Sequence, residues 1–286
     1  MKKSQESGNL NRGLKSLKLL KITEKELEQF DPYFEESEQV DIISIAPEVV
    51  NGDFDVKVGE KSIENFDAVY AEIPVKNAVF GRVMLEMIEE AQIPVNYSST
   101  GFFTSAKKNY LYYTLHDMDL PAPKTAVVAT EKASRNLDKE LKGPIIGRRF
   151  EDLKEVENKK IDTVDGIQAF ADGTEYSDEL LIFNEYNSGD KYRCLVVNDS
   201  VITVQDSSDT WRFTDENLKY SNISDKQKEI VLEAVKKIGT PMTEVLIRGE
   251  EIYDIRPNPD LQTYTDVAGK NAFESVSEML KEEVSK

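Results

Sequence analysis

Apolar and polar positions along this chain repeat with two periods, and the period changes every ten to twenty residues. Val40–Ile45 (VDIISI) and Phe66–Ala71 (FDAVYA) are apolar runs of strand length. Gly81–Ala91 places Val83, Met84, Met87 and Ile88 on one helical face, and Ile93–Asn96 adds a short strand. The alternation predicts an α/β subdomain over residues 19–100 with a parallel sheet. A helix follows at Ala106–Met118 with Leu111, Tyr112 and Leu115 inward, stopped by Leu-Pro-Ala-Pro at 120–123. Strands are predicted at Thr125–Ala129 and Gly143–Arg149, the second ending in two guanidinium groups. The charged segment Glu151–Lys160 is expected to be a solvated loop, and Thr163–Phe170 a helix closed by a turn at Asp172-Gly173. Leu180–Tyr186 (LLIFNEY) is predicted as a buried strand. Tyr192–Val197 and Val201–Gln205 are predicted as a hairpin over Asn198-Asp199-Ser200. Ser224–Ile238 is amphipathic, with Ser224 and Gln227 as a capping box and Gly239 as its stop. A last helix is predicted at Asn271–Glu282.

The richest stretch is Glu244–Asp260, EVLIRGEEIYDIRPNPD. Glu244–Ile247 and Glu251–Ile255 alternate as half-buried strands do, folded about Arg248-Gly249-Glu250. A three-residue loop places Glu244 opposite Asp254, where like charges repel unless a cation lies between them. A two-residue loop pairs Asp254 with Val245 instead. Register therefore decides whether the hairpin carries a hard-oxygen metal site or merely solvated acids.

Composition narrows the chemistry. The 286 residues suffice for two or three packed subdomains, and 31% are charged. Lys and Arg number 36 against 54 Asp and Glu, for a formal charge of −18. That balance disfavours a nucleic-acid partner and suits a salt-rich cytoplasm, so a cytoplasmic location is expected. No apolar run has the length of a membrane span, which disfavours a membrane partner. Residues 1–18 are expected to form a disordered basic arm. One Cys (Cys194) and one His (His116) exclude an internal disulfide and a Cys/His metal site, leaving carboxylates, Arg, Lys and a hard cation. Glu72–Phe80 leaves the carboxyl end of a strand, where open α/β sheets bind ligands, making Glu72, Asn77 and Arg82 substrate-side candidates.

Five landmarks stand in a distinctive order: IPVNYSSTGFFTSAKKN, LPAPKT, GPIIGRR, IFNEYNSGDKYRCLVVNDSVI and EIYDIRPNPDL. Over residues 67–280 the chain resembles the ATP-grasp superfamily, specifically the RimK-like ligases that join amino acids to carboxylates. The resemblance implies an α/β fold, with α+β character in the C-terminal half. Residues 19–100 would form an N-terminal subdomain, 101–183 a central one and 184–286 a C-terminal one carrying the metal hairpin. It further implies ATP and Mg2+ as cofactors, and small-molecule or peptide carboxylate and amine substrates.

By the same resemblance, Lys108 (or its neighbour Lys107) and Arg148 hold nucleotide phosphates. Asn184, Glu185, Tyr186 and Asn187 read the adenine edge, and Asp190 lies near the ribose. Glu244, Asp254 and Asn258 are the metal candidates, although straight alignment puts Val245 at the first metal position. Arg193 and Arg212 are candidates to neutralise an acyl phosphate, with a surface or salt-bridged Arg as the alternative for each. Three departures stand out. Arg148 replaces the family's second nucleotide lysine. FEDLKEVENKK replaces its glycine-rich loop. Arg256, counted with the substrate-side candidates, replaces a metal-binding amide. The expected activity is ATP- and Mg2+-dependent carboxylate–amine ligation through an acyl phosphate, with a nucleotide-binding protein that has lost catalysis as the alternative.

Overall fold

The computed structural model describes residues 17–50, 52–151, 154–172 and 179–286. Residues 1–16 of the expected arm, and Gly173 of the expected turn, lie outside the described residues. The expected arm's last residue, Lys18, is the first of β1 (Lys18–Ile22).

β1 pairs in parallel with β2 (Glu36–Val40) and, on its other edge, with β6 (Ala68–Ala71). The expected parallel sheet is therefore present, but built partly from other residues. Val40–Ile45 is no strand. β2 ends at Val40, Asp41 caps a short 3-10 turn at Ile42–Ser44, and β3 (Ile45–Val50) begins a second sheet. That sheet is antiparallel, β3 against β4 (Asp53–Val58) against β5 (Lys61–Ser62). Helix α1 (Ala78–Glu90) buries Met84, Leu85, Met87 and Ile88 but leaves Val83 facing solvent, 46% exposed. Ile93–Asn96 contributes only an isolated bridge between Val95 and Val69.

The helix predicted at 106–118 is present as α3 (Lys108–Asp117), and a separate helix, α2 (Ser99–Ala106), precedes it. Lys107 breaks them with an extended backbone (φ −94°, ψ 91°), which turns Lys108 inward at the start of α3. Next come β7 (Thr125–Val128), the short turns α4 (Glu131–Ser134) and α5 (Leu137–Glu140), and β8 (Ile145–Glu151). β9 (Lys154–Ile161), α6 (Val164–Ala171) and β10 (Glu179–Glu185) complete this part. The strands form an antiparallel sheet in the order β7-β10-β8-β9. The segment expected to be a loop at 151–160 is mostly β9, an edge strand that pairs with β8 alone. Its charged side chains face water, which is how edge strands avoid pairing with other chains.

The C-terminal sheet runs β13-β12-β11-β14-β15. Its strands are β11 (Lys191–Val197), β12 (Ser200–Asp206), β13 (Leu218–Tyr220), β14 (Met242–Arg248) and β15 (Glu251–Arg256). Helix α7 (Asp225–Ile238) has the predicted capping box at Ser224 and Gln227, and ends on Gly239 in the left-handed region. Its apolar stripe covers one sheet face, burying Cys194, Val196, Val245, Ile247, Ile252 and Ile255. The opposite face carries Leu195, Val197, Ile202 and Val204, which share a core with α8 (Leu261–Ala268), α9 (Ala272–Val284) and the N-terminal sheets. Among the described residues no helix is long and apolar enough to cross a membrane.

Candidate active site

The hairpin β14–β15 takes neither register considered from the sequence. Its loop is the two residues Gly249-Glu250, with Gly249 at φ +60°, and Arg248 pairs with Glu251. The register then shifts between Leu246 and Ile247, leaving Tyr253 as the extra residue on β15. Leu246 therefore faces Asp254, and Glu244 faces Arg256. Glu244, Leu246, Asp254 and Arg256 share one sheet face. Through the β11 ladder, which pairs Arg193 with Leu246 and Lys191 with Arg248, so do Lys191, Arg193 and Arg248.

On that face the two hairpin acids are buried and fully engaged. Glu244 Oε1 accepts from Arg193 Nε at 2.9 Å and from Tyr264 Oη at 2.7 Å, while Oε2 lies 3.5 Å from Arg256. Asp254 Oδ1 pairs with Lys108 Nζ at 2.7 Å and accepts the Ile255 amide at 2.9 Å. Its Oδ2 lies 3.5 Å from Arg148 and 3.8 Å from Arg256. Burial works against the charge on Asp254, but Lys108, Arg148 and Arg256 together hold its carboxyl below the ordinary value. Burial likewise pushes the Lys108 ammonium down, against the pull of Asp254. Lys108 gives its remaining protons to the carbonyls of Ser105 and Ile255, at 2.9 and 2.7 Å. Lys107 instead lies over the Phe103 ring.

Arg148 crosses from the four-stranded sheet. It donates to Glu155 on β9 (2.6 Å) and to Tyr112 on α3 (3.0 Å), with its guanidinium over Phe150 and Tyr253. Lys108, Arg148, Asp254, Arg256 and Asn258 line one pocket of about 630 Å³, with Lys76, Lys154 and Glu155 at its walls. Arg193 lies behind, between Glu244 and Asp215.

Asn258 holds the frame together. Its Nδ2 donates to the Ile73 carbonyl at 2.7 Å, and its Oδ1 accepts from Tyr97 Oη at 3.3 Å. Tyr97 Oη in turn accepts the Ile73 amide at 3.1 Å.

Other candidates are placed elsewhere. Glu72 is held by Thr23, Tyr70 and Lys25, and Arg82 lies along Glu86 over the Phe103 ring. Asn77 borders a separate groove with Val79, Phe80 and Val83. Arg212 is exposed and donates to the Asn158 carbonyl. Thus Glu72, Asn77, Arg82 and Arg212 do not reach the pocket that holds Lys108 and Arg148.

At the exit of β10, Asn184 is buried and donates to Thr125 Oγ1 at 2.7 Å, while its Oδ1 has no protein partner. Glu185 accepts the Lys142 amide, and the Tyr186 amide donates to Pro144 O. Asn187 donates to Glu251, and the Asp190 carbonyl accepts the Gly249 amide. Arg248, missed in the sequence, fills the space beside them. Its guanidinium lies 4.9 Å from the Tyr186 ring centre, 5.5 Å from Phe213 and 5.6 Å from Tyr253. It also donates to the carbonyls of Asn187 and Trp211. Lys191 was missed too, and ties Asp206, Ser208 and two loop carbonyls together. Strand parity alone, counting Lys191 with Arg193 and Arg248 with Glu244, would have put both on this face.

These residues fit a polyphosphate and a base better than they fit a pair of magnesium ions. The pocket is rich in cations, and the orphaned Asn184 Oδ1 offers an acceptor at the strand exit. The four oxygens of Glu244 and Asp254, however, all face Lys, Arg or Tyr groups. Among the described residues no group of three or more His, Cys, Asp or Glu side chains is placed to hold a metal.

A four-stranded and a five-stranded sheet facing each other over a cationic pocket, behind an N-terminal α/β unit, define an ATP-grasp fold. The ATP-grasp ligase PsnB, in complex with a minimal precursor, superposes with a TM-score of 0.70 at 18% identity, covering 96% of this chain and 100% of that one. The RimK domain ATP-grasp protein of Sphaerobacter thermophilus gives 0.69 at 14% identity, covering 92% and 99%. D-alanyl-alanine synthetase A of Vibrio cholerae gives 0.63 at 12%, covering 94% and 98%. No protein-family model and no curated protein sequence matches the chain.

Proposed function

We propose that the chain is an ATP-dependent carboxylate–amine ligase. The observation that carries this reading is the convergence of Lys108 from α3, Arg148 from β8 and Arg256 from β15 on one pocket, each from a different part of the fold. Three cations at one point suit a triphosphate, whose charge grows more concentrated as the γ-phosphoryl group moves. In this reading the base lies toward Asn184–Asn187, displacing Arg248 from its ring cage. The phosphates reach Lys108 and Arg148.

A carboxylate oxygen of the substrate attacks the γ-phosphorus, the bond to the β-phosphate oxygen breaks, and ADP leaves. An amine then attacks the acyl carbon of the acyl phosphate, loses a proton and expels phosphate, giving an amide. The protein's task is to align these groups and to match charge. Magnesium is customary in such chemistry, but the acids here do not fit a magnesium pair, and no step of this reading passes through one. Structures of similar fold hold precursor peptides, as for PsnB and for the macrocyclase MdnC of Microcystis aeruginosa, which supports a peptide carboxylate as the acid.

The test is ADP release from ATP in the presence of candidate acids, with hydroxylamine added to capture acyl phosphate as a hydroxamate. ADP release with hydroxamate formation supports the reading. ATP bound but never turned over, across small acids and Asp/Glu-rich peptides, sinks it. That outcome would favour a second reading, a nucleotide-binding regulator or partner protein without turnover. One observation favours it: Glu244 and Asp254 are already neutralised by Arg and Lys.

A further inference from the structure

Among the described residues four cations touch the two hairpin acids, and three of them have a close acid partner. Arg193 takes Glu244 through two of its nitrogens, at 2.9 and 2.8 Å. Lys108 takes Asp254 at 2.7 Å, and Arg148 takes Glu155 at 2.6 Å. Asp215 adds a second partner to Arg193 from the solvent side, being 82% exposed. Arg256 is the remainder. It stands opposite Glu244 in the ladder and two residues beyond Asp254, and shares both acids at 3.5 and 3.8 Å. These separations are beyond good hydrogen-bonding range, so neither acid holds the guanidinium tightly. Its side chain is 42% exposed, while the two acids are buried, and it forms part of the pocket wall.

A magnesium ion bridging Glu244 and Asp254 would need their oxygens at ~2.0–2.1 Å. The guanidinium already lies 3.5 Å from Glu244 Oε2 and 3.8 Å from Asp254 Oδ2, within reach of one oxygen of each acid. A cation bridging those two oxygens would stand close to the guanidinium, and their charges repel. A guanidinium also does for phosphate what a bridging metal does electrostatically. It carries fixed positive charge and presents a planar fork of donors that matches two phosphate oxygens.

From this we infer that Arg256 is a built-in counter-ion, standing where a divalent cation would bridge the two hairpin acids, so that a nucleoside triphosphate binds here without divalent metal. The inference rests on the proposed nucleotide site and adds to it the way the phosphate charge is met.

The experiment is calorimetric titration of the full chain with ATP, once in EDTA and once in magnesium, for wild type, Arg256→Asn and Arg256→Lys. Wild type is expected to bind in EDTA within about threefold of its affinity in magnesium. Arg256→Asn should bind at least about tenfold more weakly in EDTA and recover most of that loss when magnesium is added. Arg256→Lys keeps the charge and should retain most of the metal-free affinity, and thermal melts of all three establish that they fold. Titration of manganese alone gives a readout independent of nucleotide: Arg256→Asn should acquire a site that wild type lacks. Wild type binding ATP only with magnesium overturns the counter-ion inference and leaves the nucleotide site standing, as does an Asn variant that matches wild type in EDTA. Absence of ATP binding in every condition defeats the nucleotide site itself, and the inference with it.

Discussion

Replacing Asp254 by Asn removes one charge from the most crowded point of the site while keeping its volume. In a cluster of acids that awaits a metal, such a change relieves repulsion and stabilises the metal-free protein. Here the opposite sign is expected. Asp254 is buried, with Lys108 at 2.7 Å and Arg148 and Arg256 at 3.5 and 3.8 Å. Removing one partner of a buried pair costs ~3–5 kcal/mol, because the other charge is left uncompensated. Part of that loss is returned: Lys108 keeps two carbonyl acceptors, and Arg148 keeps Glu155 and Tyr112. The lower end, about 3 kcal/mol, is therefore the expectation. Equilibrium urea unfolding at neutral pH measures it directly.

Acid pH supplies an independent check. The folded-state pKa of Asp254 lies below its ordinary 3.8, so the carboxylate contributes stability that is fully present above 3.8. That contribution is lost as pH falls through the lower folded value. The difference between wild type and Asp254→Asn should be flat above about pH 5 and shrink only in strong acid. A variant as stable as wild type, or more stable, would refute the account of these acids as internally neutralised.

Further expectations concern single groups. Lys108→Ala should weaken ATP binding by ~1.5–3 kcal/mol in calorimetry, whereas Lys107→Ala, on the Phe103 ring, should leave it unchanged. Equal losses in both would remove Lys108 from the phosphates. Burial pushes the Cys194 thiol up to about 12, so a thiol reagent should label it only after unfolding, and rapid labelling of the native chain would contradict its placement. A Cβ on Gly189 would meet the Gly249 backbone at 2.7 Å, so Gly189→Ala should cost ~1–3 kcal/mol in urea melts. It should also speed hydrogen exchange at the Gly249 amide, which now bonds to Asp190. Unchanged stability and exchange would show that the two turns do not depend on their close approach.

What the sequence made legible was mostly what depends on short-range pattern. The capping box of α7, its Gly239 stop and the strand pairs β11–β12 and β14–β15 all follow from residues within a few positions of one another. The register of the hairpin does not. One extra residue at Tyr253 moves Arg256 opposite Glu244, and its only trace in the pattern is the three-residue spacing of Ile252 and Ile255, both buried under α7. β9 was hidden because an edge strand with one neighbour needs no apolar face to compete with a loop in composition. The β3–β4 hairpin has a signal in the sequence, the Asn-Gly pair at 51–52, but the more apolar run before it competes as a strand. Lys108 and Arg148 were readable through resemblance, but their meeting on Asp254 joins residues more than a hundred positions apart. No local pattern encodes it.

The ring of bonds among Asn258, Tyr97 and Ile73 has a mechanical consequence. It clamps both backbone polar groups of Ile73, the residue just before Pro74 on the pocket wall, to the exit of β15. That wall and the hairpin strand are thus tied into one piece. The four-stranded sheet makes the opposing wall, with a core around Ile145, Ile161 and Phe183 on one side and Phe150 and Ile182 packed into the core under α7 on the other. Arg148 reaches across between them, 3.5 Å from Asp254 and held more closely by Glu155 and Tyr112. A phosphate that draws Arg148 toward itself competes first with Glu155 and Tyr112, so ligand entry here is an exchange of one partner for another, and the affinity measured is the difference between the two.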